Sequence, residues 1–391
     1  MQVDDFILTK SLGKGAYGEV FLTQKKGTNE LYATKKLDRA FSEKPKNIKL
    51  LANEIILLKK INHPNIVRLI DLKKTKSHCY IIMDFCNGGN LSGCLKKYMA
   101  TYRRPFSEEI VQHIMKQVVN GINFLHSNKI IHRDLKLDNI LVTFPSESDK
   151  KSLNMMKAIA KIIDFGFATK LHASKSNLAY TILGTPANMA PQILEKIESK
   201  TPNHQGYDEK VDIWSLGTLC YEMLVGHWAF CGSSIQELSQ KVKQGKYSLP
   251  TNLSKEVVSF INSMLQTDPN KRLIARDLLK HDFLVKNVKQ FQPIDVRKIS
   301  GMVSGGVINI NSNLDIKENL TQTVWDIFNS PGIIPQQPAI LVQQVGIPLL
   351  QPMQNIQVPC QQVYMMPSSI PSQQQFINPP GYMPQMIIGY Y

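Results

Sequence analysis

An α+β fold, β-rich toward its N-terminus and mostly helical beyond, is what this sequence predicts, and three observations carry it. Short strand-like apolar runs, Phe6-Ile7-Leu8, Val20-Phe21-Leu22 and Tyr80-Ile81-Ile82-Met83, crowd the first 84 residues around one helical pattern at 50–60. From 110 to 126 apolar residues recur every three or four positions, the spacing of an amphipathic helix. Finally, a polar cluster of both charge signs, His132-Arg133-Asp134-Leu135-Lys136-Leu137-Asp138-Asn139, lies between Ile130-Ile131 and Ile140-Leu141-Val142. With 391 residues, 43% of them hydrophobic, the chain can bury a sizeable core and has room for two lobes plus an extension.

Composition narrows the function classes. The start, Met1-Gln2-Val3-Asp4-Asp5, is acidic where a signal peptide is basic, and no long apolar run is available to span a bilayer. These features point to the cytoplasm, or the nucleus, and to no transmembrane segment. Six cysteines show no Cys-x-x-Cys spacing, so they are expected as reduced thiols and no metal is assigned to them. The net charge of +15 is spread over scattered lysines and accompanies no nucleic-acid-binding module, so no specific nucleic-acid partner is expected.

Charge is costly to hold between two β-branched apolar runs. The cluster at 132–139 therefore reads as a loop pinned to a rigid base, where catalytic groups commonly sit. His-Arg-Asp-Leu-Lys-x-x-Asn resembles the catalytic loop of the eukaryotic protein kinases, in the form with Lys136 that belongs to the serine/threonine branch. That resemblance implies a bilobal protein kinase fold: a small β-rich N-lobe (about 4–84) with one main helix and a larger, mostly helical C-lobe (about 88–284). Asp134 would orient the substrate hydroxyl and accept its proton, Lys136 would offset charge on the transferred phosphoryl group, and Asn139 would hold a magnesium ion.

Taken in order, the chain supplies the remaining parts. Gly13-Lys14-Gly15-Ala16-Tyr17-Gly18-Glu19-Val20 sits between two strand-like runs. A lone G-x-G-x-x-G also suits a dinucleotide fold, but there a helix follows the last glycine. The trailing Val20 is similar to the kinase form, which implies that Leu12, Gly13, Lys14, Gly15, Ala16, Tyr17, Gly18 and Val20 close over a bound ATP. Tyr32-Ala33-Thr34-Lys35 stands where relatives have Val-Ala-Ile-Lys. Ala33 then borders the adenine and Lys35 holds the α and β phosphates, while strand alternation turns Lys36 to the other face. Glu54, on the helical pattern, is the acid expected to reach Lys35. Met83 would limit the depth of the adenine pocket, the backbone of Asp84 and Cys86 would bond the adenine edge, and Leu141 would line it. His113 and His126 receive no functional role from spacing.

After Ile140-Leu141-Val142, residues 143–158 are rich in Ser, Lys and Glu and read as an inserted surface loop. Lys161-Ile162-Ile163-Asp164-Phe165-Gly166 restores the kinase pattern, with Asp164 as principal magnesium ligand. Residues 167–189 correspond to the activation segment. Thr181 is the expected regulatory phosphosite, with Tyr180 and Ser176 as weaker alternatives, its phosphate docking on Arg133. Thr185, in Gly184-Thr185-Pro186, would contact Asp134 and Lys136. Ala190-Pro191-Gln192 departs from the family's Ala-Pro-Glu, so Gln192 faces its expected partner Arg272 with an amide instead of a carboxylate, and a somewhat less stable lobe follows. Asp212-Ile213-Trp214 would anchor the catalytic loop from a buried helix. Asp138 and Glu222 fall where basic-directed kinases keep acids, but Asn90 is neutral, so no strict basic motif is expected.

Phe85-Cys86-Asn87-Gly88-Gly89-Asn90-Leu91, the insertion before Asp164, and the stretch from Gly184 to Pro191 resemble the autophagy-initiating ULK kinases, although calcium-regulated kinases share several of these pieces. Residues 285–327 read as a linker able to hold a short helix. From Phe328 to Tyr391 there is no charged residue, and Gln and Pro abound, so a disordered tail is expected. The function implied is a protein serine/threonine kinase using ATP and Mg2+, with Ser/Thr-bearing proteins as substrates and an upstream or trans-autophosphorylating kinase as activator. A pseudokinase scaffold that binds nucleotide without turnover is the alternative; the presence of Lys35, Glu54, Asp134, Asn139 and Asp164 argues against it.

Overall fold

A computed structural model describes residues 1–15, 18–38, 45–166, 168–170, 185–198 and 207–286. Ala16, Tyr17, Thr181 and the tail at 328–391 lie outside the described residues, as does the linker from 287 on.

Six antiparallel strands build the first lobe: β1 (Gln2–Val3), β2 (Phe6–Gly15), β3 (Gly18–Lys25), β4 (Leu31–Asp38), β5 (Leu69–Lys74) and β6 (His78–Asp84), in the order β1-β2-β3-β4-β6-β5. The glycine-rich run is the β2–β3 hairpin, with Gly15 opposite Gly18, and two register shifts in β2 add the local twist that a bulge produces. Gly18 has φ 151°, and a Cβ there would lie 2.1 Å from the Lys36 carbonyl oxygen, so only glycine fits. Helix α1 (Pro45–Lys60) packs Leu51 and Ile55 on Leu37, Cys79 and Ile81 of the sheet.

The second lobe is helical. In α2 (Leu91–Tyr102), the Asn90 side chain caps the N-terminus by accepting from Gly93 N–H at 2.8 Å. Helix α3 (Glu108–Ser127) buries Ile110, Val111, Ile114, Met115, Val118, Val119, Ile122 and Leu125, the face its periodicity predicts. Four short strands, β7 (Gly89–Asn90), β8 (Ile130–Ile131), β9 (Ile140–Thr143) and β10 (Ile159–Ile162), carry the loops of interest, and β9 pairs with both β7 and β10. The segment expected as a surface loop contains a short helix, α4 (Glu147–Lys151). Its Ser146 cap accepts from Asp149 N–H at 3.1 Å, while Phe144 and Met155, before and after it in the chain, are buried. A polar average hides two apolar anchors and one capping serine. Farther on, α5 (Pro191–Glu198) precedes α6 (Lys210–Val225), which is buried on nearly every side and therefore runs through the lobe's centre. One continuous core joins α6 and α3 to Leu57, Leu58, Ile61, Ile66 and Val67, so the end of α1 and the strand entry after it belong to both lobes. Among the described residues, no helix is long and apolar enough to cross a membrane. The five described cysteines are free thiols, four of them buried.

Candidate active site

Asp212 organises the loop at 132–139 from its fully buried position on α6. Its carboxylate accepts the backbone N–H of His132 (2.8 Å) and of Arg133 (2.9 Å), and Nε2 of His126 lies 2.9 Å away. Burial pushes the Asp212 carboxyl up, but these hydrogen bonds and the His126 and His132 rings outweigh it and hold the group below its ordinary value. His126 is thus an anchor that helical spacing did not reveal; only its place in the last turn of α3, above the loop, could have hinted at it. Arg133 is forced to φ 71°, a strained conformation for a non-glycine residue. His132 is wholly buried: Nδ1 accepts from Asp134 N–H at 3.3 Å, so Nε2 carries the hydrogen and donates to the Ile163 carbonyl at 2.9 Å.

Asp134 ties the loop to its surroundings through both carboxylate oxygens. Oδ1 accepts from the Thr185 hydroxyl at 2.8 Å, and Oδ2 accepts from Asn139 Nδ2 at 3.0 Å and lies 3.1 Å from Lys136 Nζ. Lys136 Nζ also donates to Thr185 Oγ1 at 3.0 Å. The segment bearing Thr185 is fixed from behind, because Asn188 Nδ2 donates to the Leu135 carbonyl and Ser215 Oγ to the Asn188 carbonyl. Asn139 is fully buried and spends its amide hydrogens on Asp134, both the carbonyl (2.8 Å) and Oδ2. Its Oδ1 has no hydrogen-bond partner. Buried acceptors are rarely left unmatched, so this orphan oxygen fits a hard cation such as a divalent metal bound together with phosphate oxygens.

Asp164 follows β10 with φ 66°, another strained backbone, and its Oδ1 accepts from Gly166 N–H at 3.3 Å. Phe165 is buried edge-on against His132, ring centroids 5.3 Å apart, and Ile163 N–H donates to the Asn139 carbonyl at 3.0 Å. These contacts lock the Asp164 turn to the loop. Across the cleft, Lys35 Nζ lies 3.2 and 3.1 Å from the two Glu54 oxygens. Burial raises Glu54, Lys35 pulls it back and Asp164 raises it again, leaving the carboxyl above its ordinary value. The Lys35–Glu54 pair joins β4 to α1, and the Asp164 charge acts on the same carboxyl.

Sheet register places the other described residues of the expected site on the strands that carry or adjoin Lys35 and lead to Asp164. Val20 is opposite Lys35 and Gly13 opposite Val20, while Lys14 and Gly15 continue that hairpin beyond Leu12. Ala33 is opposite Met83, at the end of the strand that leads through Asp84 to the buried Cys86. Leu141, on β9, is opposite Lys161 of β10, three residues before Asp164. The expected partner of Gln192 is also found: its Oε1 accepts from Arg272 Nη2 at 3.0 Å. That guanidinium donates as well to the carbonyls of Lys210, Gln266 and Thr267 and lies 5.0 Å over the Trp214 ring, which offsets much of the missing carboxylate. Glu222 is buried beside Asp138; burial first, then the Asp138 charge, lifts it to about 8 against the opposing pull of Lys96 and Trp228.

Comparison with known proteins agrees with this architecture. Residues 6–284 match the protein kinase domain family. The serine/threonine-protein kinase atg1 of Dictyostelium discoideum is 37% identical over 292 residues, covering 73% of this chain and 40% of that protein. Myosin light chain kinase A of the same organism is 32% identical over 284 residues, 71% of this chain and 87% of that protein. This chain thus spans well under half the length of the first relative and most of the second. With a two-lobed fold, a loop pinned by Asp212 and a family match over nearly three quarters of its length, the chain belongs to the protein kinase family.

Proposed function

We propose that this chain is a catalytically active serine/threonine kinase that phosphorylates protein hydroxyls. Magnesium ATP, when bound, supplies the phosphoryl group and the cation that offsets its charge. Lys35, held by Glu54, presents its ammonium to the α and β phosphates. Asn139, through its unpartnered Oδ1, and Asp164 hold the metal. The hairpin of Leu12, Gly13, Lys14, Gly15, Gly18 and Val20 covers the nucleotide, and Ala33, Met83, Asp84, Cys86 and Leu141 border the adenine. Asp134 receives the substrate hydroxyl and takes its proton, while Lys136 and Thr185 hold that carboxylate in place and Lys136 offsets phosphoryl charge.

The observation that carries this reading is the closed set Asp134–Thr185–Lys136–Asn139, in which each polar group is held by at least one other. A scaffold without turnover has no need of it. The test is transfer of labelled phosphate from ATP to a panel of Ser/Thr-bearing proteins by the purified chain, with nucleotide binding measured separately. Transfer abolished in Asp164→Asn supports the enzyme; binding without transfer in the unmodified protein supports the scaffold.

Three finer readings accompany it. Residues 4–284 form the catalytic unit, followed by a linker at 285–327 and an uncharged tail at 328–391. Thr181 is the activating phosphosite, served by an upstream kinase or a second copy. The resemblance of residues 85–91 and 184–191 to ULK kinases supports a cytoplasmic role in starting autophagy. Restoration of autophagy by this chain in cells lacking their own initiating kinase, and its failure with Asp164→Asn, tests the last.

A further inference from the structure

The segment joining the lobes is held at both ends by contacts that the chemistry above does not use. At its far end, Gly88 N–H donates to the Val142 carbonyl at 2.8 Å. Asn87 pairs with Phe144 like a strand residue, donating from Nδ2 to the Phe144 carbonyl (3.0 Å) and accepting from Phe144 N–H (2.8 Å). A Cβ on Gly88 would lie 2.7 Å from the Val142 oxygen, so the backbones touch. At the near end, the Asp84 carboxylate is 2.6 Å from Lys161 Nζ and accepts from Arg68 N–H at 3.2 Å, with Arg68 Nη2 3.5 Å away. Both Asp84 and Lys161 side chains are only 12% exposed, which shields the pair from solvent screening.

These two anchors meet on one hairpin. Lys161 is opposite Leu141 on the β9–β10 pair, next to Val142. Lys161's own strand is tied to the first lobe, since Ile162 N–H donates to the Asn65 carbonyl and Val67 N–H to the Ile162 carbonyl. The path from Asp84 through Cys86 to Gly88, across to Val142 and back through Lys161 to Asp84 is therefore a closed ring. Without the ion pair the ring opens at its near end: Asn87 and Gly88 still hold the far end, while Asp84 keeps only its strand pairing and its Arg68 contacts, none of which reaches the β9–β10 hairpin.

We propose that Lys161 is a positioning residue of the nucleotide site: by closing this ring on Asp84 it fixes where the connector backbone, at Asp84 and Cys86, meets the adenine edge. Lys161 touches no reacting atom. The inference rests on the reading of the connector as the adenine contact, and the ring itself is measurable without nucleotide.

The experiment uses the full chain, with Lys161→Met, Asp84→Asn and the double variant. Amide hydrogen exchange without nucleotide is expected to quicken across residues 84–88 in both single variants while α3 and α6 keep their protection; unchanged exchange at 84–88 overturns the proposal. In phosphotransfer, each single variant is expected to raise KM for ATP about three- to tenfold with kcat within about twofold, and the double variant to match a single one, because coupled partners do not add. Additive effects on KM, or a fall in kcat alone, overturn it. Lys161→Arg, which keeps the charge, is expected to recover most of the lost affinity. If the unmodified chain binds no adenine nucleotide, the nucleotide reading fails while the exchange result still decides the ring.

Discussion

The Thr185 hydroxyl donates to Oδ1 of Asp134 across 2.8 Å, tying the end of the activation segment to the loop that carries the proposed base. Lys136 reaches both partners, so the triangle holds the carboxylate in one orientation. Replacing Thr185 by Val keeps the shape and removes the donor. A hydrogen bond to a charged group contributes about 1.5–3 kcal/mol, which corresponds to a loss of roughly 10- to 100-fold in kcat. Thr185→Ser retains the hydroxyl and is expected to stay within a few-fold of the unmodified protein. Steady-state phosphotransfer measures both, and equal rates for Val and Ser would sink the positioning role.

Lys35 and Glu54 are expected to show strong coupling in stability. With Lys35 changed to Met, the buried Glu54 loses its cation while Asp164 remains beside it, and breaking a buried pair from one side costs about 3–5 kcal/mol. Adding Glu54→Gln should return much of that loss, since the orphan charge is gone. Denaturant titration of the two single variants and the double variant checks this, and a double variant as unstable as the sum of its parts contradicts it.

Much of this site was legible because kinase chemistry fixes short linear spacings. Asp134, Lys136 and Asn139 lie within six residues, and strand alternation alone separates Lys35 from Lys36. Less legible were contacts that depend on where distant elements land. His126 gave only a helical position, yet it meets Asp212 86 residues away. Lys161 and Asp84 are 77 residues apart, and neither carries a motif that names the other. The insertion, whose composition predicts a surface loop, differs for a related reason: Phe144 and Met155 are two apolar residues in a polar stretch, and only tertiary packing shows that both are buried.

Glu222 predicts a pH dependence. Its folded-state value, about 8, lies above the ordinary 4.5, so between those limits the folded protein binds a proton that the unfolded chain releases. Its contribution to stability is full below pH 4.5 and is lost as pH rises through about 8. Across that window the unmodified protein should lose on the order of a few kcal/mol relative to Glu222→Gln, whose side chain cannot titrate. Burial sets most of the effect, with the Asp138 charge adding to it and the Lys96 charge opposing it. Parallel unfolding curves for the two proteins from pH 5 to pH 8 would refute this assignment.

Gln192→Glu should stabilise the second lobe. Arg272 is buried, and burial draws it down to about 10, yet its Nη2 meets a neutral amide oxygen at Gln192 and the Thr267 carbonyl instead of a carboxylate. A carboxylate at this half-buried position adds a charge-assisted bond, for a gain of about 1 kcal/mol. Chemical denaturation reads the gain, and phosphotransfer is expected to be unchanged because the pair lies away from Asp134. A loss of stability would mean that the carbonyls of Lys210, Gln266 and Thr267 already satisfy the guanidinium.

Asn139→Asp tests the orphan oxygen. The amide now donates to the Asp134 carbonyl and to Oδ2, 3.0 Å away, and a carboxylate in its place removes both donors and sets two buried acids face to face. Without metal, the variant is expected to lose roughly 3 kcal/mol of stability, as removal of a buried partner does. A divalent cation relieves that repulsion, so magnesium with ADP should raise the unfolding temperature of the variant more than that of the unmodified protein. If magnesium protects the two proteins equally, Asn139 Oδ1 does not face the metal, and the orphan acceptor must be explained by something other than a cation.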